Sequence, residues 1–286
     1  MMLPPKPDGG SKLDAAAPTD GGAVADADEE EDLPPDRPAV PPVVRTPNVY
    51  WKPTPGTTWD WQLKVPIDPS LNVEVYDIDM FENDAHVVHD LHMRGKKVIC
   101  YVNMGAWENW RPDAAKVPPH LRGAQYHGFP DENWLDIRDI TGLTPFVHSR
   151  LNIARDMGCD AVEPDNMDGY DTMAHEPTGF PLTFIHQIVY NRFVASQAHV
   201  RGMAVGLKNN VAQIEELVGD FDFHVSEQCF EHMECEKLLP FIKAGKPVFE
   251  AEYTLPTSAF CPQAKMLQIS AIKKMVTLDT WREVCP

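Results

Sequence analysis

The stretch VEPDNMDGY, residues 162–170, brings Glu163, Asp165 and Asp168 within six positions of one another behind an apolar lead-in. Further acids close other strand-like runs: Asp77 and Asp79 in VYDID, Glu227 in FHVSE, and Glu250 and Glu252 in FEAE. Two carboxyl groups facing each other across a cleft are what glycoside cleavage requires. One donates a proton to the leaving oxygen and the other attacks or supports the anomeric carbon. Crowding serves the same end, because neighbouring anions resist simultaneous ionisation and their pKa values move apart. A lone Asp ahead of a helix is better read as an N-cap, but acids spread over four strand ends read as chemistry. Asn103, Asn166, Lys208 and Asn209 supply hydrogen-bond donors at the same ends.

Rings accompany the acids. Trp59, Trp61, Tyr101, Trp107, Trp110, Tyr170, Phe230 and Tyr253 lie in or just after the strand-like runs, and flat rings stack on sugar faces. Each alone is more often core than platform; beside acids the sugar reading gains weight. The candidate substrate-binding set is Asp77, Asp79, Tyr101, Asn103, Trp107, Asn166, Asp168, Tyr170, Lys208, Glu252 and Tyr253. Oxygen ligands of this kind can also hold Ca²⁺ or Mg²⁺, which makes a metal-dependent polysaccharide deacetylase one competing reading. A non-catalytic glycan-binding barrel is another. Transition-metal hydrolases place His at strand ends, where here only His224 comes near, so no metal and no cofactor is expected. No GxSxG occurs, and Cys229 has only His232 close by in sequence.

The elements that must position these residues are eight strand-like runs, at 58–63, 73–79, 97–105, 160–165, 203–209, 221–227, 247–253 and 274–278. Stretches with apolar residues at three and four spacing separate several of them, at 80–95, 144–158, 181–202 and 210–220. Gly95, Gly158, Gly202 and Gly245 each stop just before a strand, as helix-ending glycines do. This predicts an α/β fold, a (β/α)8 TIM barrel, in which chemistry collects at the C-terminal ends of the strands. Strand alternation puts Ala161, Glu163 and Asp165 on one face, and Phe223, Val225 and Glu227 on another. If those faces point inward, Asp165 and Glu227 approach across the mouth. About nine residues join the first two runs and eight follow the last, so the barrel is expected to be irregular at its first and last units. The stretch 106–141 reads as an inserted loop over one mouth.

Residues 1–48, rich in Pro, Asp, Ala and Gly, are expected to form a disordered linker, with 49–286 as the catalytic domain. The formal net charge is −18; the first 45 residues hold ten acids against four bases, and the rest still carries −12. That excludes the basic stripe of a nucleic-acid partner and permits a cationic ligand. There is no run of eighteen apolar residues, so no membrane span is expected, and MMLPPKPDGGSKLD has no apolar h-region of a secretory signal. Six cysteines without CxxC spacing do not read as a zinc site. Pairing of Cys229 with Cys235 and of Cys261 with Cys285 is expected, fitting an oxidising compartment. Cys100 and Cys159, in apolar runs, are expected to be buried free thiols.

WDWQL, VYDID, VICYVNMGAWENWRPDA, WLDIR, VEPDNMDGY, HVRGMAVGLKNN, SEQCF with Cys235 behind it, and the late AEY together resemble the endo-α-1,4-polygalactosaminidases, glycoside hydrolase family 114. The resemblance spans about residues 57–255, and EPDNxDGY, GLKN and EQC in that order form a specific combination. It implies a (β/α)8 barrel that cuts α-1,4-linked galactosamine polymers internally, such as the partly deacetylated exopolysaccharide of biofilms. The family's proposed catalytic pair falls on Asp165 and Glu227. By analogy with other α-galactoside-cleaving barrels, Asp165 is the nucleophile and Glu227 the acid/base of a retaining enzyme. VNMG stands where a serine-bearing CYxSAG version is common, and Ser226 where Asn often precedes the Glu. An extracellular or cell-surface monomer acting on a cationic galactosamine-containing polysaccharide is the expectation that follows.

Overall fold

The computed structural model describes residue 40, residues 43–171 and residues 177–286. Most of the expected linker, 1–39 with 41–42, lies outside the described residues. Its last described part is tied to the body. The Arg45 guanidinium donates to the Gly202 carbonyl at 2.9 Å, to that of Gly158 at 2.8 Å and to that of Cys159. Asn48 donates to His199, on whose ring Tyr50 stacks at 4.3 Å, and Trp51 packs against Phe223. These contacts lie where strands begin, at the end of the barrel opposite the acids.

Eight parallel strands follow one another around the barrel: β1 (Trp59–Gln62), β2 (Val75–Asp79), β3 (Lys97–Asn103), β7 (Ala161–Asp165), β8 (Ala204–Lys208), β9 (Phe223–Glu227), β10 (Val248–Glu252) and β11 (Ser270–Lys274). A ninth, β12 (Arg282–Val284), adds antiparallel to β11. The helices are α1 (Ala85–Met93), α2 (Ile140–Met157), α3 (Phe184–His199), α4 (Ile214–Leu217), α5 (Leu239–Lys243) and α6 (Thr257–Leu267). Gly158, at φ 95°, caps α2 in the left-handed conformation, as its position ahead of a strand predicts. Both faces of the sheet are buried. Trp59, Trp61, Val75, Phe223, Val225 and Phe249 fill the barrel, while Tyr76, Val98, Val162, Val205 and Val248 face the helices. Ala161, Ala204 and Gly206 leave room for the large rings inside; a Cβ on Gly206 would stand 2.3 Å from the Phe223 ring.

The expected irregularity sits at the seam between β1 and β11, which share no ladder. Side chains and a loop close it. The Trp59 indole donates to the Ser270 carbonyl at 2.8 Å, the Leu278 carbonyl accepts from Leu63 and Lys64, and the Lys274 ammonium lies 3.3 Å from the buried Asp60 carboxylate. The eighth strand is Ser270–Lys274 rather than 274–278. KMVTL instead turns, with Leu278 at φ 47°, its side chain entering the barrel core and its carbonyl serving β1.

Two further expectations are corrected. The stretch 106–141 is no plain loop, since β4 (Ala106–Glu108), β6 (Glu132–Leu135) and β5 (Arg122–Gln125) form a small antiparallel sheet. Arg150 of α2 pins it, bound to the Asn103 carbonyl, to Glu108 at 2.8 Å and to Asp113 at 2.9 Å. Cys100 and Cys159 are not free thiols. They are joined, with Cα atoms 5.9 Å apart, because the turn after α2 lays Cys159 beside β3. Cys229–Cys235 and Cys261–Cys285 are bonded as expected.

The Cys100–Cys159 bridge spans 59 residues, so chain-entropy arguments give it about 4 kcal/mol. Replacing both residues with Ala should therefore lower Tm by about 10 °C. Calorimetry that finds Tm within about 2 °C of the parent removes that role.

Candidate active site

Side chains from β1, β7 and β9 converge on one ammonium group, carried by β8. Lys208, at the end of β8, is fully enclosed; its Nζ lies 3.1 Å from Asp165 Oδ1, 3.0 Å from Glu227 Oε2 and 3.4 Å from Glu163 Oε1, and 4.7 Å above the Trp61 ring. Burial disfavours a charged lysine, but Asp165, Glu227 and Glu163 outweigh it and hold the group well above its ordinary range. The ammonium thus occupies the centre of the three carboxylates.

Each of the two candidate catalytic acids has its second oxygen on a tyrosine. Tyr101 of β3 donates to Asp165 Oδ2 at 2.8 Å, and Tyr253, just beyond β10, donates to Glu227 Oε1 at 2.5 Å. Burial, then the adjacent carboxylate, raises both phenols well above their usual range, so both remain donors. Asn209 completes the set. Its Oδ1 accepts from the Glu227 N–H at 3.1 Å and its Nδ2 donates to Glu227 Oε2 at 3.3 Å. Burial pushes the Glu227 carboxyl up, but Lys208 and the hydrogen bonds from Tyr253 and Lys208 win, and it rests below its ordinary value. Its side chain keeps 22% exposure against 5% for Asp165, so Glu227 is the acid that meets the solvent side.

Beneath this pair lie Asp77 and Glu163, both fully buried and, among the described residues, with no hydrogen bond from an amide or a hydroxyl on their oxygens. Burial, then the neighbouring Glu163, raises Asp77 well above its ordinary value, and burial raises Glu163 to about 7.

The loop after β7 carries the rest of the motif. Asn166 stands at φ 60° with its Nδ2 buried and unpartnered among the described residues, and the buried Tyr170 hydroxyl likewise has no partner among them, its ring edge-on to Phe184. Asp168 is pushed up to about 7 by burial and then by Asp165. Gly105 makes the close approach to this loop possible, since a Cβ there would stand 1.6 Å from the Asn166 carbonyl oxygen. Backbone cannot give way as a side-chain tip does. Gly105→Ala should thus displace the loop and lower kcat/KM by about 100-fold or more, and parent-like kinetics would show the contact to be dispensable.

Other residues from the sequence set stand apart. Asp79 is held by the Arg111 guanidinium at 2.7 Å, which also binds Glu108 and Glu82 at 3.0 Å each. Asn103 accepts from the Ala106 N–H and donates to Glu132, and the Trp107 indole donates to the Ala114 carbonyl under Arg122. These three brace the inserted sheet. Glu252 faces away from the mouth with Glu250, accepting from Phe230 and Glu231 while Glu250 accepts from Cys229. Conversely Glu163, Asn209 and Trp61 belong to the site although the sequence set leaves them out. Alternation with Asp165 is the signal for Glu163.

A family model described as glycoside-hydrolase family GH114 matches residues 41–286. The chain belongs to family GH114. Among solved structures, this GH114 chain is similar to Aspergillus fumigatus Ega3, whose structure is of a complex with galactosamine. Identity is 37%, the match covers 83% of this chain and 98% of that one, and the TM-score is 0.77. The glycoside hydrolase domain of PelA from Pseudomonas aeruginosa shares the fold at 12% identity, covering 79% of this chain and 97% of that one, with a TM-score of 0.60. No curated protein sequence matches. The GH114 chain is therefore a glycoside hydrolase on a TIM-like barrel, and among its described residues no helix is long and apolar enough to cross a membrane.

Proposed function

We propose that this chain is an endo-acting, retaining hydrolase of α-1,4-linked galactosamine polymers, with Asp165 as nucleophile and Glu227 as acid/base. The observation that carries the reading is the shared ammonium of Lys208. One oxygen of each acid lies within 3.1 Å of Nζ, so the two oxygens are no more than about 6 Å apart. Retaining pairs stand at about 5 to 5.5 Å, whereas inverting pairs leave about 6.5 to 9.5 Å for a water.

Asp165 attacks the anomeric carbon as Glu227 protonates the departing glycosidic oxygen, giving a glycosyl ester on Asp165. Glu227, now ionised, takes a proton from water as that water displaces Asp165, which restores both groups. Lys208 and Tyr101 hold one oxygen each of the nucleophile and keep it aimed. The partly exposed Glu227 faces the leaving group. A polymer with free amino groups is cationic at neutral pH, and a domain carrying −12 draws it in; Asp168, with Asn166 and Tyr170, receives its amines and hydroxyls in this reading. Galactosamine in the similar Ega3 structure supports this choice of sugar. Three disulfides support a site of action outside the cell.

Incubation with partly deacetylated α-1,4-galactosamine polymer should yield short oligosaccharides, with internal cuts seen as an early fall in polymer size. Proton NMR of the first products should show the α anomer, and EDTA should leave the rate unchanged. A β first product overturns retention. Inertness toward this polymer overturns the substrate.

A further inference from the structure

We propose that His224 is a positioning residue for Glu227, acting through Asn209; the inference rests on Glu227 being the acid/base. His224 lies on β9 between Phe223 and Val225, which face the barrel core, so its own side chain points outward, edge-on to Phe241 at 5.2 Å. Its Nε2 lies 2.8 Å from the Asn209 carbonyl oxygen. A carbonyl only accepts, so Nε2 carries the proton and the tautomer is fixed. Nδ1 is then a buried lone pair without a partner among the described residues. Burial, helped by Lys208, takes this imidazole down to about 4, so it stays neutral through the range in which a glycosidase works.

What the imidazole holds is an unusual piece of backbone. Asn209 and Asn210 stand consecutively at φ 46° and 45°, a left-handed pair of non-glycine residues that local sterics disfavour. Such a conformation persists where its surroundings fix it. Here the Asn209 N–H donates to the Val225 carbonyl at 2.8 Å and its C=O is taken by His224. Both peptide planes of Asn209 are thereby stitched to β9. The side chain is left no choice but to reach across to the same strand's end, where it brackets Glu227 at the N–H and at Oε2. Without the imidazole N–H, the peptide after Asn209 is free to turn and the amide leaves Oε2. Glu227 then loses a donor to its charged form and part of its aim.

The test compares His224→Phe, which keeps a ring against Phe241 but no donor, with His224→Gln, which restores an N–H. Both are assayed on partly deacetylated α-1,4-galactosamine polymer, with unfolding followed in parallel. The Phe variant should lose about 10- to 100-fold in kcat with KM within about twofold, and the Gln variant should recover most of it. The alkaline limb of the pH profile should move upward in His224→Phe, because a hydrogen bond favouring ionised Glu227 is gone. Parent-like kcat in the Phe variant overturns the inference, as does a loss that merely tracks the unfolded fraction. Should His224→Phe fail to fold, Asn209→Ala carries the same test, and an unchanged kcat and profile there overturns it equally. Glu227→Gln serves as control: if it is fully active, the reading of Glu227 has failed, and if it is inactive while His224→Phe is not, only this inference has.

Discussion

Asp165→Asn and Glu227→Gln should each lower kcat on the galactosamine polymer by about three orders of magnitude or more, with Tm shifted by only a few degrees. Both swaps keep the shape of the side chain. The amide oxygen each one introduces can still accept, from Tyr101 in the first variant and from Tyr253 in the second, so the scaffold of hydrogen bonds survives. What is lost is the charge that attacks in one case and the transferable proton in the other. The two variants should be separable. An aryl glycoside whose leaving group needs no protonation should still react with Asp165 in Glu227→Gln and leave a glycosyl-enzyme detectable by mass, while Asp165→Asn traps nothing. Asp168→Asn should act mainly on KM, since Asp168 lies off the Lys208 centre. A dead Asp168→Asn beside an active Asp165→Asn would move the nucleophile three residues along the motif.

The second large effect is expected from Lys208→Met. One ammonium balances Asp165, Glu227 and Glu163, and breaking a buried ion pair by removing one partner costs about 3 to 5 kcal/mol. The cost should depend on pH in a definite direction. Glu163 rises from an ordinary value of 4.5 to about 7 on folding, so its contribution to stability is full below about 4.5 and is lost as pH rises through about 7. Without Lys208, Glu163 and Glu227 rise further, because the cation that lowered both is gone. The Tm gap between parent and variant should consequently widen from pH 5 to pH 8. A gap that stays constant with pH refutes the charge balance. Catalysis gives an independent reading. Glu227 must be protonated to start the reaction, and in the parent Lys208 holds it below its ordinary value, so kcat/KM should rise as pH falls on the alkaline side. In Lys208→Met that limb should shift upward, together with a fall in kcat as Asp165 loses its anchor.

Much of the site is legible in the chain because its acids sit at strand ends and alternation is rigid. Glu163, Asp165 and Lys208 share the barrel interior simply by parity from Ala161 and Ala204. The same parity is ambiguous for Glu252. A parallel strand buried on both faces shows no alternation of polarity, so FEAE alone does not say whether Phe249 and Ala251 or Glu250 and Glu252 point inward. For Cys100 and Cys159 an apolar run marks burial, not proximity. Their meeting depends on how α2 returns to the strand beside β3. The inserted sheet leaves little trace in the sequence because its strands are three or four residues long and are held by two arginines outside them, Arg111 in the loop after β4 and Arg150 on α2. For Asn209 and His224 the link is a single imidazole-to-carbonyl contact across two strands, and no spacing rule encodes it.

The seam also sets an order of events. Trp59 reaches Ser270 across 211 residues of chain, and the Lys274 and Asp60 pair is longer still at 214. Closing a loop of that length comes late, after the local β-α-β contacts that reward chain entropy sooner. Trp59 and Trp61 sit on the first strand at this junction, with the Trp61 ring directly under Lys208. In a refolding experiment, far-ultraviolet ellipticity should therefore return before the tryptophan fluorescence of the enclosed rings. The floor of the active site is among the first residues of the catalytic domain to be synthesised and among the last to be set in place.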